Sequence, residues 1–306
     1  MPDGSPIQIG KLLKDTRGDV WASTFSGLYR FRSNGRVQRW ADVPGDQGTA
    51  LSETPGSIWA CSAKELIRFQ IDPRSGAAAI ANRYGRPHGL PSGYVGDVRS
   101  WRGQVWAATF QGLARQLPSG TWQPVRLDPS VRSSTLGNLT IDGLGNLWAG
   151  TDGRGVVRIS GSGLSSFSES EGLGVERVWA IFEDRQRNLT VVTKDEDHYF
   201  LNRFDGYRFR LVRLNPSFRI HFGWSWPHIA VHSRSGEWWL ATGAGLLRYA
   251  HGLETGFQAP GCIAATLKAH VSKSLVRPTG WPRAVSLRRS HPPSLRIAKA
   301  RSGLVC

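Results

Sequence analysis

Residues 142–160, DGLGNLWAGTDGRGVVRIS, carry a pattern that returns five more times along the 306-residue chain, once in degraded form. Taking Gly145 as the origin, Gly18, Gly56, Gly103 and Gly236 are equivalent, and each of the five is followed three residues later by a tryptophan: Trp21, Trp59, Trp106, Trp148 and Trp239. The degraded copy has Arg187 at the origin and Thr190 in the tryptophan slot. Three residues further on stand Thr24, Ser62, Thr109, Thr151, Thr193 and Thr242, so every copy keeps a hydroxyl. Three residues before each origin come Asp15, Glu53, Ser100, Asp142, Asp184 and Ser233, completing a D/E/S-x-x-G-x-x-W-x-x-T frame. The origins step by 38, 47, 42, 42 and 49 residues, a period that marks a repeat architecture in which no unit buries its own core.

Each copy reads as a β meander. An alternating apolar run precedes the frame, as in Val178 to Phe182 (VWAIF), and suits a buried first strand. The D-x-x-G segment turns the chain, because a short carboxylate accepts from backbone two residues on and glycine supplies positive φ. In the fifth copy (DRQRN) Asn188 is the residue expected to take that conformation. The second strand is NLWAGT or DVWAST, with indole and hydroxyl on opposite faces because they lie an odd number of residues apart. The third strand is GLYRF, ELIRF, GLARQ, GVVRI or GLLRY, with Arg30, Arg68, Arg115, Arg158 and Arg248 at matching places; the fifth copy shows no such arginine in phase. A more polar fourth strand, such as 36–40 or 121–127, closes the unit. Four strands with one aromatic-bearing strand per roughly 40 residues describe a β-propeller blade. Repeated tryptophans then belong between blades, since a repeated position serves a repeated contact. The repeated arginines read as a structural row, stems on apolar surface and heads in water or on backbone carbonyls.

The frame D-x-x-G-N-L-W-x-G-T followed by G-L/V-x-R, with the linkers Gly89-Leu90-Pro91 and Gly172-Leu173-Gly174, resembles the two-component regulator propeller repeat over residues 7 to about 250. That resemblance implies a ligand-binding sensor region of a bacterial hybrid histidine kinase, in the periplasm, usually in a seven-bladed ring. Copies two and five depart from the pattern, the first with Ser62-Ala63-Lys64-Glu65 where a glycine-bearing loop is expected.

The expected fold is all-β: four-stranded blades at about 7–42, 48–85, 94–128, 135–168 and 175–214, and an incomplete sixth at 229–250. Residues 1–254 form the propeller; 255–306 are a basic, low-complexity tail expected to be disordered. The tail holds nine of the 39 basic residues and no acid, so the repeats carry 30 − 23 = +7 of the formal +16. Much of that +7 is the arginine row, which argues against nucleic acid as partner. Because the repeat and the acidic residues stop together, the tail reads as out-of-frame translation of a GC-rich gene, with a natural basic extension as the alternative. We therefore expect a fragment, an open ring and self-association through its end blades. No apolar run reaches the length of a membrane span, and the start lacks a charged segment followed by an apolar core. Cys61, on a second strand, reads as a buried small hydrophobe, and no cysteine pair has metal-ligand or redox spacing.

Propellers bind at the face where the loops from second to third strand and from fourth to next first strand emerge. Here that face holds Phe25, Tyr94, Phe110, Asp152, Arg154 and Arg177, with His88, Lys64, Lys194 and Asp195 alongside, and Trp224 and Trp226 in the longest connection. Aromatic rings beside charged groups suit an oligosaccharide or similar polar ligand: rings stack, charges fix hydroxyls. Lys194-Asp195-Glu196-Asp197-His198 reads as a solvated turn, not a cation site. Asn138-Leu139-Thr140 and Asn188-Leu189-Thr190 match glycosylation acceptors by coincidence. No nucleophile-elbow, zinc-protease or phosphate-loop motif is present. The expected function is a non-catalytic sensor without cofactor or metal, its kinase or regulator module absent from this chain; the alternative is a lyase resembling streptogramin lyase.

Overall fold

The computed structural model describes residues 9–24, 26–43, 51–61, 65–129, 131, 134–184, 186–196, 198–212, 230–232, 237–242 and 245–249. The basic tail and the connection 213–229 lie outside them. Blade one comprises β1 (Ile9–Lys14), β2 (Val20–Thr24), β3 (Gly27–Phe31) and β4 (Val37–Trp40). Blade two has β5 (Leu51–Thr54), β6 (Ser57–Cys61), β7 (Leu66–Ile71) and β8 (Ala78–Tyr84), and blade three β9 (Val95–Trp101), β10 (Gln104–Thr109), β11 (Gly112–Gln116) and β12 (Trp122–Pro124). Blade four has β13 (Leu136–Ile141), β14 (Leu147–Thr151), β15 (Val156–Ser160) and β16 (Gly163–Phe167); blade five has β17 (Val178–Glu183), β18 (Leu189–Lys194), β19 (Tyr199–Phe204) and β20 (Phe209–Val212). Three strands of the sixth blade are described, β21 (Ala230–His232), β22 (Trp238–Thr242) and β23 (Gly245–Tyr249). Every sheet is an antiparallel meander in chain order, and the first five are the four-stranded blade that the repeat predicts.

The aspartate of the frame does two things at once. In blade four, Asp142 Oδ1 accepts the backbone N–H groups of Leu144 and Asn146, while Oδ2 accepts the indole N–H of Trp148 at 2.7 Å. Asp15 repeats this with Arg17, Asp19 and Trp21. The turn and the indole are thus fixed by one carboxylate, which explains why acid and tryptophan recur together. In blade two the first-strand partner of the tryptophan lies seven residues before it, against eight for Trp21 and Trp148, and Thr54 replaces the carboxylate as acceptor for Trp59 at 2.8 Å. The repeated hydroxyl closes the next loop: Thr24, Thr109 and Thr151 each donate to the carbonyl three or four residues on, at 2.7 Å.

Trp21, Trp59, Trp106 and Trp148 are all buried, and each packs against the following blade or its own fourth strand. Trp148 meets Phe167 of its own blade and Phe204 and Phe209 of blade five; Trp21 meets Phe69 of blade two. The linkers press in at the same seam. At Gly89 and Gly172, both with positive φ, a Cβ would sit 2.0–2.1 Å from the carbonyl oxygens of Trp122 and Phe209 on the next fourth strand. Their neighbours Leu90 and Leu173 are buried in that seam.

Two expectations for blade five are corrected. The left-handed conformation at its first turn is taken by Arg187 itself, at φ 64°, and not by Asn188. Asn188 is used instead as a donor, its N–H and Nδ2 both bonding Asp184. Nor does the blade lack the arginine. The third strand lines up by register, and Arg203 faces Thr190 just as Arg158 faces Trp148. The loop after β18 is longer than in blade one, so linear counting misses it.

One arginine head reaches a backbone carbonyl as expected, but the heads also stand over the repeated indoles, which is not expected from the sequence. Arg30 lies 4.9 Å above the Trp21 ring, wholly buried, with Nη2 2.7 Å from Asp19 and Nη1 bonded to the Gly76 carbonyl. Arg68 and Arg158 stand 5.7 Å from Trp59 and Trp148. A cation over an indole face accounts for the pairing of the two residues across strands.

Candidate functional site

The first strands of neighbouring blades adjoin, forming the inner wall. Buried Asp97 on β9 ties three of them together: it accepts Ser52 of β5 at 2.7 Å and the Leu139 N–H of β13 at 3.1 Å, and pairs with Arg99. Burial holds the Lys11 ammonium on β1 below the usual lysine range; Asp97 opposes this and Arg99 reinforces it. Asn138, 1 % exposed, belongs to the same wall, so a sugar could not be attached to it in the folded protein.

Near the mouth, the first strands of blades one, three, four and five carry a bulge at one shared place. Register breaks fall between Ile9 and Lys11, between Leu136 and Asn138, between Val178 and Ala180, and opposite Ala108/Thr109. The extra residue is Gly10 in blade one, Gly96 in blade three and Gly137 in blade four, but Trp179 in blade five. Glycine is required where blades three and four meet, since a Cβ on Gly96 would lie 2.9 Å from Gly137 Cα. Bulges re-aim side chains at functional edges. Blade five therefore places a large ring where blades one, three and four have glycine.

Lys194, at the end of β18, holds its Nζ 5.0 Å from the Trp179 ring and 5.2 Å from that of Tyr199, and the two rings meet edge to face at 5.9 Å. All three are half-buried. The residue after the repeated hydroxyl donates its N–H to the chain just before its own first strand: Phe110 to Tyr94, Asp152 to Thr135, Lys194 to Arg177. This makes the rim regular. Tyr94 and Phe110 face each other with centroids 3.9 Å apart. Thr135 Oγ1 reaches across to the Phe110 carbonyl at 3.3 Å, and Arg177 reaches across to Asp152 at 2.6 Å, bridging blades five and four. Arg154 is exposed in the same loop, its N–H on Thr151 Oγ1.

Of the residues singled out from sequence, Tyr94, Phe110, Asp152, Arg154 and Arg177 thus lie along one rim, linked through Thr135. Phe25, Trp224, Trp226 and Lys64 lie outside the described residues. His88 is not part of the cluster: its Nδ1 accepts the Gly85 N–H in the linker turn, and its ring leans on Tyr84. Asp195 accepts the His198 N–H at 2.6 Å in an exposed turn. Trp179 lies in the VWAIF run that reads as a buried first strand, and no sequence motif singles out Tyr199. The signal for Trp179 lay in its phase, eight residues before its origin, as Gly10 and Gly137 are before theirs.

No protein-family model matches the chain, and no curated protein matches its sequence. Solved structures do. Virginiamycin B lyase from Staphylococcus aureus, in an inactive form with quinupristin, superposes with a TM-score of 0.61 at 14% identity, over 80% of this chain and 82% of that one. The extracellular domain of BT3049, described as a hybrid two-component system from B. thetaiotaomicron, gives 0.52 at 16%, covering 80% of this chain and 34% of that one. The chain has the β-propeller fold. PorZ, a surface component of the type-IX secretion system of Porphyromonas gingivalis, shares it too, with a TM-score of 0.56 at 14% identity over 80% of this chain and 40% of that one. At such identities the likeness extends to the propeller architecture, and the rim residues carry the functional question. Among the described residues no helix is long and apolar enough to cross a membrane, and no group of three or more His, Cys, Asp and Glu is placed to hold a metal.

Proposed function

We propose that this propeller is a non-catalytic sensor domain that binds a small polar ligand, an oligosaccharide by preference, at the mouth of its ring. The observation that carries the reading is Trp179, set at a bulge position that holds glycine in blades one, three and four and flanked by Lys194 and Tyr199. A sugar ring can stack on an indole or phenol face, and the neighbouring Arg177, Asp152 and Arg154 offer hydrogen bonds to its hydroxyls. The rim also has little structural reason to be charged. The Arg177–Asp152 pair is about half exposed on both sides, and such pairs add roughly 0–1 kcal/mol to stability.

The BT3049 domain, described as the extracellular part of a hybrid two-component system, shares this fold, which supports a periplasmic location and a kinase or regulator module as the downstream partner. The fold is equally that of a lyase, so the test must separate binding from turnover. Thermal-shift screening of the protein against a panel of oligosaccharides, followed by calorimetry, is expected to find a ligand recovered unchanged. Trp179→Ala should weaken it at least tenfold while leaving the melting temperature within about 2 °C. A ligand that is cleaved, or one whose affinity ignores Trp179 and Arg177, would sink this reading.

A further inference from the structure

Arg158 of blade four and Arg30 of blade one are equivalent by register, each facing the repeated tryptophan. Their surroundings differ. Arg30 is covered by the turn between the third and fourth strands of the next blade, residues 72–77, whose Gly76 carbonyl takes its Nη1 at 2.8 Å. The corresponding turn of blade five spans only residues 205–208. Two residues shorter, it leaves the seam between blades four and five open, at the end of the sheets opposite the rim. The result is a groove of about 910 Å³.

The guanidinium of Arg158 lines this groove, boxed by Trp148 at 5.7 Å, Phe167 at 5.4 Å and Phe204 at 5.8 Å. Arg30 has Asp19 and Arg203 has Asp184. Among the described residues no carboxylate pairs with Arg158; its Nε is shielded from solvent without an acceptor, and its guanidinium makes a single long side-chain hydrogen bond, Nη2 to Ser165 at 3.5 Å. A cation shielded on three sides by rings gains from an anion. Apolar surface lies within reach: Leu144, 85 % exposed, and Leu211, 46 % exposed, both line the groove.

We propose that this groove is a second binding site, distinct from the rim, for a small oxyanion joined to an apolar body. The carboxylate or phosphate would sit on Arg158, and the body would lie between Leu144 and Leu211. Benzoate, phenyl phosphate, inorganic phosphate and benzamide, titrated into the full chain by calorimetry, test it. Benzoate or phenyl phosphate is expected to bind at least tenfold more tightly than benzamide or inorganic phosphate; whichever head group wins identifies the source as a carboxylate or a phosphate ester. Arg158→Gln should abolish binding. Because that change disturbs a ring-packed seam, Leu144→Glu is the second probe: the side chain is exposed, so folding should be unaffected, and binding should fall at least fivefold. Trp179→Ala should leave it unchanged, which separates this site from the mouth. Equal binding of benzamide and benzoate, equal binding of inorganic phosphate and phenyl phosphate, indifference to both groove variants, or no binding by any probe overturns the proposal.

Discussion

Arg203 faces Thr190 across the second and third strands of blade five, and its Nη2 lies 3.3 Å from Asp184 Oδ2. That oxygen corresponds to the one that receives the indole N–H in blades one and four. Where the tryptophan is missing, an arginine supplies the donor, and the buried carboxylate stays satisfied. Arg203→Ala should therefore cost about 1–3 kcal/mol, the scale for a charge-assisted hydrogen bond to a buried group. Denaturant unfolding measures it; an unchanged midpoint would show that Asn188 alone satisfies Asp184.

Arg187 occupies the left-handed region at φ 64°, where blades one, two, three and four place glycine. Arg187→Gly removes the Cβ clash at the loss of an exposed contact to the Gly143 carbonyl. The strain outweighs that contact, and the variant is expected to gain up to about 1 kcal/mol. A drop in thermal midpoint would contradict the account of the turn.

Asp142 holds two turn N–H groups, the Asn146 side chain and the Trp148 indole. Asp142→Ala leaves those donors without it and should destabilise by about 2–4 kcal/mol, nearly as much as the ~3–5 kcal/mol of Trp148→Ala. Because the carboxylate positions the indole, the double variant should cost less than the sum. Full additivity in a double-mutant cycle would mean that the two act separately.

Stability should fall in acid through Asp19. Burial opposes its ionisation, but the Ser33 N–H and the buried Arg30 guanidinium outweigh burial and hold the carboxyl below its ordinary value. With the folded value depressed, the contribution is complete above the unfolded pKa of about 3.9 and is lost as pH drops through the lower folded value. Asp205, held near 2 by the Arg208 and Tyr207 N–H groups and by Arg210, follows the same sign. Urea midpoints between pH 6 and pH 2 should decline, and Asp19→Asn should flatten the decline while lowering stability throughout. An Asp19→Asn curve parallel to that of the parent would remove Asp19 from the account.

The chain by itself determined the blade. A spacing of turn, indole and hydroxyl, five times in full and once without the indole, needs no long-range knowledge, because each element acts within one hairpin: the carboxylate reaches residues two to six positions on, and the hydroxyl reaches three or four. Cys61 is buried on β6, in line with its place in that pattern. The sequence also brought Tyr94, Phe110, Asp152 and Arg177 to one rim, because loops at matching phases emerge on the same side.

What only the tertiary structure decided lies in contacts between blades and in departures from phase. Arg203 stayed invisible while residues were counted linearly, since loop length shifts the number but strand register restores the partner. Trp179 looked like core, because an alternating apolar run does not reveal a bulge, and the bulge is what turns that ring toward Lys194 and Tyr199. The opening beside Arg158 depends on how far the following blade's turn extends over it, a distance set by packing two sheets together and written in neither sheet alone.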